Sequence, residues 1–332
     1  MTFLMPAEWA KQDWIWIGFP AHADLWEDNL APAQEQMAAF ANTVAETGQQ
    51  VRLVVRDAAA EMRARELVSG AVQLERHPYG DIWLRDTGPL TVLGTGGERR
   101  AQGFGFNGWG GKYLLEGDQE TGPSLAHAGG LPYSRADWIL EGGAVESDGT
   151  GLVVTTEQCL LNPNRNPSLS REEIWANLQR DLGFGRILWL GEGLQGDHTD
   201  GHVDNLARMV GENTIAIPRA TAPDDPNTAV YDDARARATD FGLTVRDMPS
   251  PGWMGAKGSD GDEAEPASYM NFAICNDVVV VPTYGSVHDD EAVAAVGDLF
   301  PGRVAVGLRA DAVLTGGGSF HCASQDVPLA EN

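Results

Sequence analysis

The chain has 332 residues, 42% of them hydrophobic, and a formal charge of −25. That supplies apolar material for a sizeable core in one large domain or two ordinary ones. The acidity argues against nucleic acid and anionic membranes as partners and favours the approach of a cation, beside its plain effect on solubility. No apolar run approaches the roughly 20 residues that cross a bilayer, and residues 1–13 lack a basic-then-apolar leader, so the expectation is a soluble cytoplasmic protein.

In chain order, residues 14–18 read as an apolar extended stretch, 32–48 as an amphipathic helix and 51–55 as a short strand. The first of these is expected to pair with 319–323 at the other end of the chain. A less regular unit centres on 82–93. A hairpin over 144–156 turns at Asp148-Gly149 and leads to a helix opened by Ser170 with Glu173 three residues on, then to a strand at 187–190. Next come an extended pair at 203–210 and 214–218, a helix over 227–241 stopped by Gly242, and a strand at 243–246. The last unit pairs 268–275 with 278–282 through Asn276-Asp277, followed by a helix at 289–300 and a strand at 304–306. Between the last two units, residues 249–266 are rich in Gly, Ser, Pro, Asp and Glu and read as a surface loop able to lie over a site. Extended pair, helix, strand is thus a recurring order. It implies radially arranged modules in one closed α/β domain covering 1–332, whose ends meet to shut a ring.

Three segments carry polar groups in unusual density. Asp81, Trp83 and Arg85 fall on one face of an extended segment and Asp86 at its end; a carboxylate there can receive the two N–H donors of a planar guanidinium. The alternative is an internal Arg85 ion pair with Trp83 in the core. Asp197 to Asn205 reads as extended, with His198, Asp200, His202 and Asp204 on one face, and has three readings: a metal site, an acid/base and cation-binding site, or a solvated loop. Gly316, Gly317 and Gly318 precede a short strand-like segment ending in Cys322, where backbone can approach a ligand closely. The three cysteines are too scattered for a disulfide framework. Cys159 and Cys275, beside apolar runs, read as small core residues, whereas Cys322 has polar, glycine-rich neighbours and is the expected nucleophile.

Together these segments resemble the agmatine deiminase family, within the guanidine-modifying superfamily that includes bacterial peptidylarginine deiminase. The blocks are Met5-Pro6-Ala7-Glu8-Trp9, Trp83-x-Arg85-Asp86-Thr87-Gly88-Pro89, Phe106-Asn107-x-Trp109-Gly110-Gly111, Glu141-Gly142-Gly143, residues 155–167, Gly201-His202-Val203-Asp204-Asn205, Ser268-Tyr269-Met270-Asn271-Phe272 and Gly316-Gly317-Gly318-x-x-His321-Cys322. The resemblance implies a five-module, pseudo-fivefold α/β propeller of ββαβ-type repeats. It implies Cys322 as nucleophile, His202 as general acid/base, and Asp86 and Asp204 as carboxylates that clamp a guanidinium. Trp83, Trp109, Glu141, His198 and Asp200 would line the substrate site. No metal or cofactor is required, the partner is a small cationic guanidine, and family members commonly form dimers or larger homo-oligomers. The chain departs from the family at His198, where an acidic residue usually stands near the distal amine of agmatine, and at Glu146-Ser147, where a His is common. Other readings are deimination of free or peptide-linked arginine, an amidinotransferase, a metal-dependent hydrolase using His198, Asp200, His202 and Asp204, and a non-catalytic polyamine-binding protein.

Overall fold

Five separate β-sheets, each containing an antiparallel pair extended by a parallel strand, with a second parallel strand in the first and a further antiparallel strand in the second, organise the computed structural model, which describes residues 3–255 and 265–330. The first orders Ser324–Pro328, Gln12–Gly18, Gln50–Val55 and Val72–Arg76; the second Phe3–Leu4, Leu90–Gly94, Arg99–Gly105 and Tyr133–Ile139. The others are Glu146–Ser147, Leu152–Thr156 and Arg186–Leu190; Arg208–Gly211, Thr214–Arg219 and Thr244–Pro249; and Ala273–Ile274, Val278–Thr283 and Val304–Arg309.

A parallel neighbour cannot be reached by a tight turn and needs a crossover. Each sheet accordingly has a helix at that point: α1 (Leu30–Glu46) and α2 (Ala58–Leu67) in the first, then α3 (Asp118–Ala128), α4 (Arg171–Leu182), α5 (Thr228–Phe241) and α6 (Asp289–Leu299). The ends of α4 follow from local chemistry. Ser170 and Glu173 form a reciprocal capping box, and Gly183 ends the helix at φ +80°. Gly242 ends α5 in the same way at φ +95°. The β-branched run of Val278–Thr283 is buried at every residue, as suits a strand in the middle of its sheet. Among the described residues no helix is long and apolar enough to cross a membrane.

Four expected extended segments differ. Residues 319–323 touch the N-terminal strand only through the Ala323 carbonyl, which accepts from the Gly18 N–H; the ladder is made by Ser324–Pro328, with Ser324 opposite Ile17. Its polar residues hide the strand in the sequence, yet all five are buried, and Asp326 is satisfied there by Arg85 at 3.1 Å. Residues 203–206 form one helical turn, with the Ala207 N–H donating to the Val203 carbonyl, because Asp200 (φ +63°) and Gly201 (φ +86°) reverse the chain just before it. Leu84–Thr87 is likewise helical, closed by the Gly88 N–H on the Leu84 carbonyl. In 268–275 only Ala273–Ile274 joins a ladder; the Ser268 hydroxyl bonds the Asn205 carbonyl and the Met270 N–H and turns the chain. Much of the 249–266 loop, residues 256–264, lies outside the described residues.

Candidate active site

Each sheet is entered through a short helical turn or bend immediately ahead of the strand that begins its antiparallel pair: Leu84–Thr87, Gly142–Ala144, Val203–Leu206, the turn at 269–270 and the turn at 320–323. These turns bring Asp86, Gly143, His202 with Asp204, Asn271 and Cys322 into one buried cluster. Gly143 marks its centre. A Cβ at that position would lie 2.5 Å from His202 Nδ1, 3.0 Å from Asp204 Oδ2 and 3.1 Å from Asp86 Oδ1, so only glycine leaves these groups in place.

The Cys322 thiol, 5% exposed, accepts from Asn271 Nδ2 at 2.9 Å and lies 3.5 Å from Asp204 Oδ2. Its backbone is held at both ends: Cys322 N–H donates to Asn271 Oδ1, and the Cys322 carbonyl accepts from Arg85 N–H. Burial, then the negative Asp204 and Asp86, raise its pKa well above the ordinary thiol value against the Asn271 hydrogen bond. The resting thiol is therefore protonated, and a positive charge placed between it and the carboxylates reverses the balance.

His202 is fully buried, its Nδ1 3.8 Å from Asp86 Oδ1. Burial disfavours the charged ring, but Asp86, the adjacent Cys159 and Glu141 outweigh it and push the pKa well above the usual imidazole value. Asp86 accepts from the Gly143 N–H at 3.0 Å and from the Trp109 indole at 2.9 Å. Burial raises its pKa in spite of His202. Asp204 receives His321 Nδ1 at 2.8 Å on Oδ2; burial opposes its charge, and His321 overcomes that to lower its pKa. Among the described residues, Oδ1 of Asp204, Oε2 of Glu141 and both ring nitrogens of His202 are buried without an oxygen or nitrogen partner. Such groups are costly to bury unpaired and mark where a polar ligand fits.

The remaining expected site residues divide. Trp83 is nearly buried, tilted against Trp26 at 6.1 Å, and its ring walls the loop of Gly316 and Gly318. Glu141 is fully buried, with Oε1 held by Arg165 Nε at 2.6 Å. Asp200 is outside the cluster, held by Lys112 at 2.6 Å, Arg165 at 2.7 Å and Asn164 at 2.8 Å. His198 is exposed, stacked on Tyr113 and close to Gly317. The expected single face of His198, Asp200, His202 and Asp204 is thus broken by the turn at Asp200 and Gly201, and none of the ion-sized groupings among the described residues joins those four. The Asp81 to Arg85 face is broken too. Arg85 makes the internal ion pair with Asp326, Asp81 accepts from the Trp26 indole, and only Asp86 turns into the cluster.

Two participants escaped sequence reasoning. Asn271 holds the thiol, and His321 bridges Asp204 to Glu8, whose carboxylate pairs with Arg208. The available signal was positional: both stand just ahead of the first strand of a repeat. Cys159, read as a core residue, is fully buried, but its sulfur lies within 4.8 Å of ligand atoms of Glu141 and His202.

The arrangement pairs a buried thiol with an imidazole whose charged form is favoured and with two carboxylates. The family model of the Porphyromonas-type peptidyl-arginine deiminases matches residues 4–328. The agmatine deiminases of Ectopseudomonas mendocina and Stutzerimonas stutzeri are each 35% identical to the chain, over 99% and 98% of it and 96% and 95% of their own lengths. The solved agmatine deiminase of Enterococcus faecalis superposes with a TM-score of 0.94 at 31% identity, covering 99% of this chain and 97% of that one. With its thiol, imidazole and paired carboxylates set in that fold, the chain belongs to the Porphyromonas-type peptidyl-arginine deiminase family.

Proposed function

We propose that the protein hydrolyses a guanidinium group through a covalent cysteine intermediate, with agmatine and water giving N-carbamoylputrescine and ammonia. The observation that carries this reading is that His202, Asp204 and Asp86 converge beside Gly143, the Cys322 sulfur lies 3.5 Å from Asp204, and polar atoms of His202 and Asp204 are buried without an oxygen or nitrogen partner. Agmatine deiminases at 35% identity over nearly the whole chain support the substrate.

A guanidinium is a poor electrophile because its charge is delocalised, so it must be held, attacked by a soft nucleophile and protonated at the departing nitrogen. Asp86 and Asp204 accept its N–H donors, and its positive charge offsets the two carboxylates that keep the Cys322 thiol protonated. With the cation bound, the Cys322 thiol proton passes to solvent and the thiolate adds to the central carbon. His202 as imidazolium protonates the leaving nitrogen, ammonia departs, and a thiouronium remains on sulfur. Neutral His202 then takes a proton from water, which adds to the same carbon; collapse breaks the C–S bond and frees the ureido product and the thiolate. No cofactor enters these steps.

The five sheets, each with its crossover helix, support a pseudo-fivefold propeller in one domain over 1–332, with the pairing of Gln12–Gly18 and Ser324–Pro328 closing it. We further place the enzyme in the cytoplasm as a homo-oligomer, a dimer being the simplest form.

His198 favours a second reading of the substrate. It replaces the acidic residue expected near the distal amine, its carbonyl accepts from Lys112, and Asp200 beside it is already neutralised by Lys112 and Arg165. A guanidine without a distal amine suits that surface. Ammonia release from agmatine, arginine, a blocked arginine peptide and guanidinobutyrate, with chelator present, separates the two. Cys322→Ser is expected to lower turnover by about 10³-fold or more; full activity in that variant would refute the mechanism, and preference for another guanidine would refute agmatine alone.

A further inference from the structure

We propose that Glu141, Cys159 and His202 form a binding site for a thiophilic divalent cation such as zinc, and that a cation there switches the enzyme off. One ligand atom from each lies within 4.8 Å of the others, and all three residues are buried. Glu141 Oε2 has no hydrogen-bond partner, and the ring nitrogens of His202 have no oxygen or nitrogen partner. The donors are one sulfur, one imidazole nitrogen and one carboxylate oxygen, the set a borderline-soft ion prefers. Around tetrahedral zinc such atoms sit about 3.5 Å apart, so closing the triangle takes side-chain movement of about 1 Å. Asp86 Oδ1 lies 3.8 Å from His202 Nδ1 and adds a further carboxylate beside the group.

A second grouping shows that proximity alone is insufficient. Glu8, Glu146 and His321 are equally close, yet Arg208 pairs with both carboxylates and His321 is held between Glu8 and Asp204. Its ligand atoms are spoken for, whereas in the first grouping Arg165 occupies only Oε1 of Glu141, Oε2 is left without a hydrogen bond, and the Cys159 sulfur already meets the His202 ring. On binding, the Cys159 thiol and the His202 imidazolium each release a proton to solvent, and thiolate–metal and imidazole–metal bonds form beside the Glu141 carboxylate. His202 is then tied to the metal and can neither protonate the leaving nitrogen nor take a proton from water. This inhibitory consequence rests on the role proposed above for His202; the binding itself does not.

The test is titration of the chelator-stripped protein with cobalt(II), reading the near-ultraviolet thiolate-to-cobalt charge-transfer band, followed by displacement with zinc. The chain has three cysteines, so the double variant Cys275→Ser, Cys322→Ser leaves Cys159 as the sole thiol. The band is expected to be undiminished in the double variant and absent from Cys159→Ser. In the wild type, zinc is expected to abolish ammonia release and chelator to restore it. Loss of the band in the double variant, its persistence in Cys159→Ser, or full turnover with the site loaded overturns the proposal. A wild type that binds cobalt but deiminates no guanidine refutes the proposed activity and leaves the metal site standing.

Discussion

At the scale of single residues, the thiol is governed by what surrounds it. Asn271 is the side chain that donates to Cys322 Sγ, and a donor favours the charged form. Asn271→Ala is expected to move the pH midpoint of iodoacetamide alkylation upward and to reduce turnover about 10- to 100-fold, the range of one hydrogen bond to a charged group. An unmoved midpoint would show the contact to be incidental. Gly143→Ala tests the geometry instead of the charge. The added methyl would fall among His202, Asp204 and Asp86, so the variant should fold and lose activity by about 100-fold or more; wild-type kinetics would mean the three groups do not act on one point. Cys322 was singled out by its polar, glycine-rich neighbours, and Asp86 and Asp204 by the dense polar segments they stand in, their expected roles coming from the family resemblance. Asn271 was not, because an amide has no chemistry of its own to flag it and acts only through the sulfur beside it.

At the scale of elements, local signals worked where the chain satisfies itself locally. The capping box of α4 and the glycines that end α4 and α5 are written in a few adjacent residues. The turns that carry the site are not: they look extended in sequence and are bent by residues such as Asp200 and Gly201. One element carries a pH dependence. Asp118 opens α3 with Oδ1 on the Gly80 N–H, but Oδ2 is buried without a hydrogen bond, and burial pushes its pKa up to about 7. A carboxyl with a raised native pKa contributes its stability at low pH and loses it as the pH climbs from the unfolded value near 3.8 through about 7. Asp118→Asn removes that loss. Relative to the wild type, the variant should gain stability between pH 4 and pH 8, on the order of 3 kcal/mol, by urea unfolding at each pH; parallel curves would show that Asp118 stays charged in the fold.

For the whole molecule, the ends of the chain decide the site. Ser324–Pro328 pairs with Gln12–Gly18, and its Asp326 neutralises Arg85, whose backbone N–H in turn holds the Cys322 carbonyl. Removing one partner leaves a buried charge uncompensated. Asp326→Ala should therefore cost about 3–5 kcal/mol in urea unfolding and depress turnover with it, whereas a stability within 1 kcal/mol of wild type would mean that Arg85 finds another partner.

The sequence by itself determined the α/β character, the recurring order of extended pair, helix and strand, and the residues able to do the chemistry, because periodicity, caps and side-chain type are local properties. Only the tertiary structure decided which of those residues meet. It turned Asp86 and Arg85 apart, drew His202 and Asp204 inward while leaving His198 and Asp200 outside, and set Cys159 behind His202. The physical reason is that residues two apart share a face in a strand but point to nearly opposite sides of a helical turn, and whether such a turn forms depends on contacts contributed by strands far away in the chain.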